Sequence, residues 1–169
     1  VSIMMANNEV GTIEPIAEIA AIVRAHGATL HTDAVQAVGQ VPIDVHSLGV
    51  DLLSLSGHKL HAPKGVGALY VRRGTSLVST QTGGGQEHGV RSGTENVPYI
   101  VGLARALELA CENLADRSAG VSTLRDGLIH QVLATVPDVA LTGHPEQRLP
   151  NNASFVFAGV EGESLVMQL

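Results

Sequence analysis

The stretch SGHKLHAPKG, Ser56 to Gly65, sets Lys59 between His58 and His61 directly after the apolar run VDLLSL. An apolar wall beside a lysine disfavours its ammonium form and leaves a more nucleophilic amine. Such amines form Schiff bases with carbonyl compounds. Two further polar groups are placed in the same way: Asn7 and Asn8 after VSIMMA, and Asp33 at the end of ATLHTD with Gln36 three residues on. If these runs are parallel strands, all three groups gather at one edge of a sheet, where α/β proteins bind ligands.

The set can be matched to the needs of one carbonyl compound, pyridoxal 5'-phosphate. Its ring nitrogen must stay protonated to act as an electron sink, and Asp33 offers a carboxylate for that. Its phosphate needs hydroxyl, imidazole or backbone donors, and Ser56 and His58 lie within three residues of Lys59. Its phenolic oxygen takes a donor amide, which Gln36 has. A lysine with an acidic partner to the pyridine nitrogen is the recurring form of such sites. Each residue taken singly has an ordinary reading: Asp33 as a turn or cap residue, His58 and Lys59 as a solvated pair. The segment lacks the Gly and Lys-Ser/Thr spacing of a nucleotide P-loop, and His31, His58 and His61 match no zinc spacing.

The elements that must position these residues follow from pattern. Residues 1 to 6 read as a buried strand, and NNEVGTIEP as a loop. Pro15 suits a first helical position, Ile16, Ile19, Ala20 and Val23 recur at helical spacing, and Gly27 stops the helix. ATLHTD, VDLLSL and GVGALYV are strands, and AVQAVG is a brief helical turn. The alternation of strand and helix predicts parallel pairing, and near-continuous apolar strands predict a sheet covered on both faces. TQTGGGQEHGVRSGTEN is a glycine-rich loop. A long helix starts at Pro98 and includes Leu103, Leu107 and Leu114, and a second covers Val121 to Val136. DVALTG and NASFVFAGV are two more strands. The fold class is α/β: a mainly parallel sheet with flanking helices.

Composition narrows the partners. The chain has 169 residues, 44% hydrophobic and 15% charged, enough for a folded domain with a core. Aromatics are 2%, Trp is absent and the net charge is -6, which argues against a nucleic-acid binder. No apolar run has transmembrane length, so neither membrane nor nucleic acid is an expected partner and the cytoplasm is the expected location. Cys111 is the one cysteine, so no internal disulfide forms. The chain opens at Val1 inside an apolar stretch and closes on EGESLVMQL, the first turns of a helix, and both ends are expected to continue in a longer protein.

Four strings, VSIMMANNEVGTIEPI, HTDAVQAVGQVPIDV, VDLLSLSGHKLHAPKGVGALYVRR and GGGQEHGVRSGTENV, together resemble the cysteine desulfurases of the class V aminotransferase family. They stand in the family's order at compatible spacing, and the resemblance runs over almost the whole chain. RSGTEN points to the iron–sulfur and nitrogen-fixation group. The resemblance implies the large domain of a fold-type I pyridoxal-phosphate enzyme over residues 1–117, and a connecting helix with the start of the small C-terminal domain over 118–169.

It also implies roles. Lys59 would be the catalytic lysine and the covalent anchor of the cofactor. Asp33 would pair with the pyridine nitrogen, Gln36 with the phenolic oxygen, and Ser56 and His58 with the phosphate. Asn8 would lie by the cofactor or the substrate carboxylate. Thr94 would reach the phosphate of the neighbouring subunit in a homodimer. The substrate would be L-cysteine, the products L-alanine and an enzyme persulfide, and the partner a sulfur-acceptor protein. No metal site is implied. The family's cysteine nucleophile sits on a loop of its small domain, and that role is not carried onto Cys111, which falls in a helical pattern. The family's ring-stacking histidine would precede this chain and its carboxylate-binding arginine would follow it, so the 169 residues alone are expected to be inactive. Selenocysteine lyase, another class V enzyme, and a non-catalytic module for dimerisation or docking are the alternative readings.

Overall fold

The spacing of Ile16, Ala20 and Val23 puts one side of the first helix against the core, and all three are buried. This helix, α1, spans Ile16–Ala25, with Pro15 one position before it at the N-cap. Gly27, at φ +65°, adopts the left-handed conformation that turns the chain back towards the sheet. The structure, a computed structural model, describes residues 1–168.

Four short strands form the main sheet in the order β1-β2-β3-β4: Ser2–Met4, His31–Asp33, Leu52–Ser56 and Gly67–Val71. The first three pair in parallel, with Met4 opposite Asp33 and Asp33 opposite Ser54. β4 runs antiparallel to β3, with Ser56 opposite Gly67. The sheet is thus mainly parallel with helices beside it, as the strand–helix alternation predicts. The parallel strands bring Met4, Asp33 and Ser56 to the same edge, and the loops carrying Asn8, Gln36 and Lys59 leave from there.

Coverage of the sheet differs from expectation. Met5, Thr32 and Leu53 are buried on one face among Leu30, Val50, Ile16 and Ala20. On the other face Ser2 Oγ meets His31 Nδ1 at 2.7 Å and His31 Nε2 meets Ser54 Oγ at 3.2 Å. Ser2 is exposed, and so is Leu69, the cross-strand partner of Ser54. Among the described residues that face is only partly covered, with Met4, Asp33 and Ser54 half-buried. The physical reason is alternation: LLSLS buries Leu53 and leaves Ser54 and Ser56 half-buried, and HTD does the same around Thr32.

A short helix, α2, spans Val45–Leu48 and is capped by Asp44, whose Oδ1 accepts from the His46 N–H at 2.9 Å. AVQAVG folds as consecutive turns, with the Ala37 and Val38 N–H groups both donating to the Ala34 carbonyl. α3 spans Val97–Cys111, and α4 spans Leu114–Thr135. The second helix therefore begins seven residues before the expected Val121, and Leu114 belongs to it and not to the first. Asn113, at φ 50° and ψ 31°, breaks the two apart, a conformation Asn accepts more readily than most residues. α4 runs unbroken through residues 117 and 118. β5, Val139–Leu141, and β6, Phe155–Phe157, form a separate antiparallel pair, followed by α5, Gly162–Val166. Among the described residues no helix is long and apolar enough to cross a membrane.

Candidate functional site

Lys59 sits on a 3₁₀ turn, Gly57–Leu60, that begins where β3 ends. The turn is pinned from both sides. The Gly57 N–H donates to the Val66 carbonyl at 2.9 Å, and the Ala62 N–H donates to the Gly57 carbonyl at 3.0 Å. Gly57 is buried, and a Cβ there would lie 3.0 Å from Val66 and 3.1 Å from Ala62 Cβ. A glycine is what allows β3 to pass into the turn so closely beneath the following segment. Leu60 is buried beneath the turn, while His58 and Lys59 project from it.

Ser56 Oγ and His58 Nδ1 lie 2.8 Å apart, so the hydroxyl and the imidazole form one polar unit beside Lys59. Lys59 itself is exposed. Among the described residues the apolar wall expected beside it is not formed, because VDLLSL ends before the turn lifts the lysine away from the sheet. Lys59 does line a cavity of about 580 Å³ with Leu60, His61, Pro63 and residues of α3 and α4, including Ala106. Asp33, Gln36, Ser56 and His58 are not among the residues lining it.

Asp33 closes β2 half-buried, and its Oδ1 accepts from the Val35 N–H at 2.9 Å. Among the described residues no salt bridge reaches this carboxylate. Gln36 is half-buried in the turns that follow. Asn7 and Asn8 divide their tasks. Asn7 Oδ1 accepts from the N–H groups of Glu9 and Val10, each at 2.9 Å, which folds the loop, and Asn8 is exposed on it. Thr94 is exposed at the end of the glycine-rich loop. That loop is closed internally: Ser92 Oγ donates to the Gly84 carbonyl at 2.8 Å, and Gln81 Nε2 donates to the Ser92 carbonyl at 3.0 Å.

The donor set suits pyridoxal phosphate. Asp33 brings a carboxyl group with spare acceptor capacity for a protonated ring nitrogen, Ser56 and His58 are donors for a phosphate, and Lys59 is a reachable amine. Sequence reasoning passed over Gly57, whose lack of a side chain the turn requires. It also passed over Arg148, which is 3% exposed and ties the Asn8 loop to a distant part of the chain. The close spacing SGHK was a local sign of the first; nothing in EQRLPNN marks the second.

The comparisons with known proteins bear on the whole chain. It is 50% identical over 171 residues to a protein named cysteine desulfurase IscS of Clostridium botulinum, matching 100% of this chain and 43% of that protein. It is 50% identical over 169 residues to cysteine desulfurase NifS of Azotobacter vinelandii, covering 42% of it. The chain thus spans less than half the length of these curated relatives. A solved NifS-like protein superposes with a TM-score of 0.91 at 43% identity, over 98% of this chain and 45% of that one. A NifS-like protein from Rickettsia africae gives a TM-score of 0.91 at 34% identity, over 99% of this chain and 46% of that one. The aminotransferase class-V family model matches residues 1–169 without remainder, and the chain belongs to that family.

Proposed function

We propose that this chain is the central part of a pyridoxal-phosphate-dependent cysteine desulfurase, which takes sulfur from L-cysteine, leaves L-alanine and passes the sulfur through an enzyme persulfide to an acceptor protein, for iron–sulfur cluster assembly among other uses. The observation that carries the reading is the pinned turn: Lys59 stands at the carboxyl edge of three parallel strands, beside the Ser56–His58 pair and one strand from Asp33. The names of the relatives support it.

Pyridoxal phosphate, when bound, supplies the sink for electrons released at the substrate α-carbon. The chain's residues hold the cofactor and move a proton. The Asp33 carboxylate holds the proton on the pyridine nitrogen. The Gln36 amide donates to the phenolic oxygen. The Ser56 hydroxyl and the His58 imidazole bind the phosphate, and their mutual hydrogen bond fixes how the ring is turned. Lys59 would anchor the cofactor, and its amine would carry a proton at the substrate α-carbon. Asn8 orients the cofactor or the substrate carboxylate, and Thr94 reaches the phosphate of a second subunit in a homodimer. In this reading residues 1–117 belong to the cofactor-binding domain and 118–169 lead into the small domain. The enzyme works in the cytoplasm.

The attacking thiol is not Cys111. That residue is exposed as the last of α3, where a helix holds its Cβ direction, whereas a sulfur carrier must swing between substrate and acceptor. The 169 residues alone are accordingly expected to release no sulfide from cysteine.

The test uses the full-length protein. Lys59→Ala should abolish the imine absorption, the borohydride-reducible adduct and sulfide release, whereas Cys111→Ser should retain all three. A reducible adduct that persists in the Lys59→Ala protein would falsify the assignment.

A further inference from the structure

Arg148 is a buried cation whose partners are neutral. Nε donates to the Asn152 carbonyl at 3.2 Å and Nη1 to the His144 carbonyl at 3.3 Å. Nη2 faces the carbonyls of Val10 at 3.1 Å and Thr142 at 3.2 Å, and Asn152 Oδ1 at 3.2 Å. Among the described residues no carboxylate pairs with it. Burial, and then the nearby Arg125 cation, hold its pKa below the ordinary arginine range. A guanidinium taken out of water without a counter-ion is unfavourable unless its donors are satisfied. Here these converging acceptors, three of them sharing the two N–H groups of Nη2, are what keeps it in place, and they join two segments more than 130 residues apart.

One of those segments is the loop after β1. Besides Val10, it is held by Asn152 Nδ2, which donates to the Glu9 carbonyl at 3.0 Å. The Leu149 N–H donates to the Gly11 carbonyl at 2.8 Å, and the Ile13 N–H to the Gln147 carbonyl at 2.8 Å. Gly11, at φ +75°, lies so close that a Cβ there would stand 2.5 Å from Asn152 Cγ. The near end of the loop is fixed by Asn7 and by the Met5 N–H, which donates to the Asp33 carbonyl at 2.7 Å. Asn8 stands between the two anchored ends.

We propose that Arg148 is a positioning residue: its guanidinium sets the conformation of residues 7–12 and thereby the direction in which Asn8 is offered to the carboxyl edge. This rests on the reading of that edge as a pyridoxal-phosphate site. A fork of fixed donors suits the task, since it constrains several carbonyls at once where an ammonium would meet them as a point charge.

The experiment uses full-length protein carrying Arg148→Met, Arg148→Lys, Asn152→Ala and Asn8→Ala, with each of the first three also combined with Asn8→Ala. Three quantities are read: amide hydrogen exchange over residues 9–11 in the apoprotein, the Kd for pyridoxal phosphate, and kcat/KM. Arg148→Met should speed that exchange and lower kcat/KM or cofactor affinity by about ten- to a hundredfold, the scale of a small misplacement. Arg148→Lys should not rescue it. In the Asn8→Ala background the Arg148 substitution should add little, because both act through one group.

Losses that multiply in the double variants, or faster exchange with unchanged affinity and kcat/KM, would overturn the proposal and leave Arg148 a purely stabilising residue. If Arg148→Met does not fold, Asn152→Ala decides the same question, because it cuts the Glu9 link and removes one side-chain acceptor of the guanidinium while the arginine itself stays. Lys59→Ala, run alongside, separates the two levels. A covalent adduct surviving in it removes the cofactor-site reading, whereas an adduct lost in it together with multiplying Arg148 losses removes only the positioning role.

Discussion

Ser56 Oγ and His58 Nδ1 are 2.8 Å apart across the buried Gly57, so the strand end and the turn share one hydrogen bond beside Lys59. The bond couples the orientation of an imidazole to a hydroxyl held at the end of β3. If the pair binds one phosphate, neither residue acts alone.

Ser56→Ala and His58→Ala in the full-length protein should each weaken pyridoxal phosphate binding by about tenfold, the worth of one hydrogen bond to a charged group. The double variant should lose less than the product of the single losses, because each substitution already unseats the other side chain. Titration of the apoprotein with cofactor measures this directly, and strictly multiplicative losses would show two independent contacts.

His61 ends the turn at φ 62° and ψ 17°, in the left-handed region. A β-branched side chain is strained there, and Asn is among the residues that accept it. His61→Val should therefore lower the stability of the full-length protein by about 1–2 kcal/mol, the cost of a left-handed conformation for an ordinary residue, while His61→Asn should leave it unchanged or raise it. Denaturant unfolding of the two variants checks this, and an equal effect of Val and Asn would argue against it.

Asp44 carries a pH-dependent contribution at the start of α2. The Ser47 hydroxyl, donating at 2.7 Å, and then the His46 N–H hold its carboxyl below the usual Asp range. The folded pKa is lower than the unfolded one, so the stabilisation is fully present above the unfolded value near 4 and fades as pH falls through the folded value. Asp44→Ala should lower the Tm at pH 7, and the gap to the parent protein should close in acid. A gap unchanged from pH 7 to pH 3 would mean that the ionised carboxylate is not what caps the helix.

Much of what positions the candidate site was legible in the chain because it is local. The 3.6-residue rhythm of Ile16, Ala20 and Val23 names the buried side of α1, and apolar runs ending at Asp33 and Ser56 name the ends of β2 and β3. Parallel pairing then follows from strand–helix alternation, and with it the shared edge that carries Asp33 and Lys59. The proposed roles of Asn8 and Thr94 came from the resemblance of whole strings, whereas Gln36 was matched to the phenolic oxygen by its amide chemistry.

What the tertiary structure decided depends on contacts between distant residues. A left-handed residue at Asn113 moves Leu114 from one helix to the next, though its spacing suits either. The polar face of β2 and β3 is seen only once His31 meets Ser2 and Ser54 across strands. Arg148 reads in sequence as one more surface charge. Its burial follows from carbonyls of Val10, Thr142, His144 and Asn152 converging on it, and the Val10 carbonyl lies 138 residues away along the chain. Local propensity cannot encode that convergence, because no window of sequence contains both the donor and its farthest acceptor.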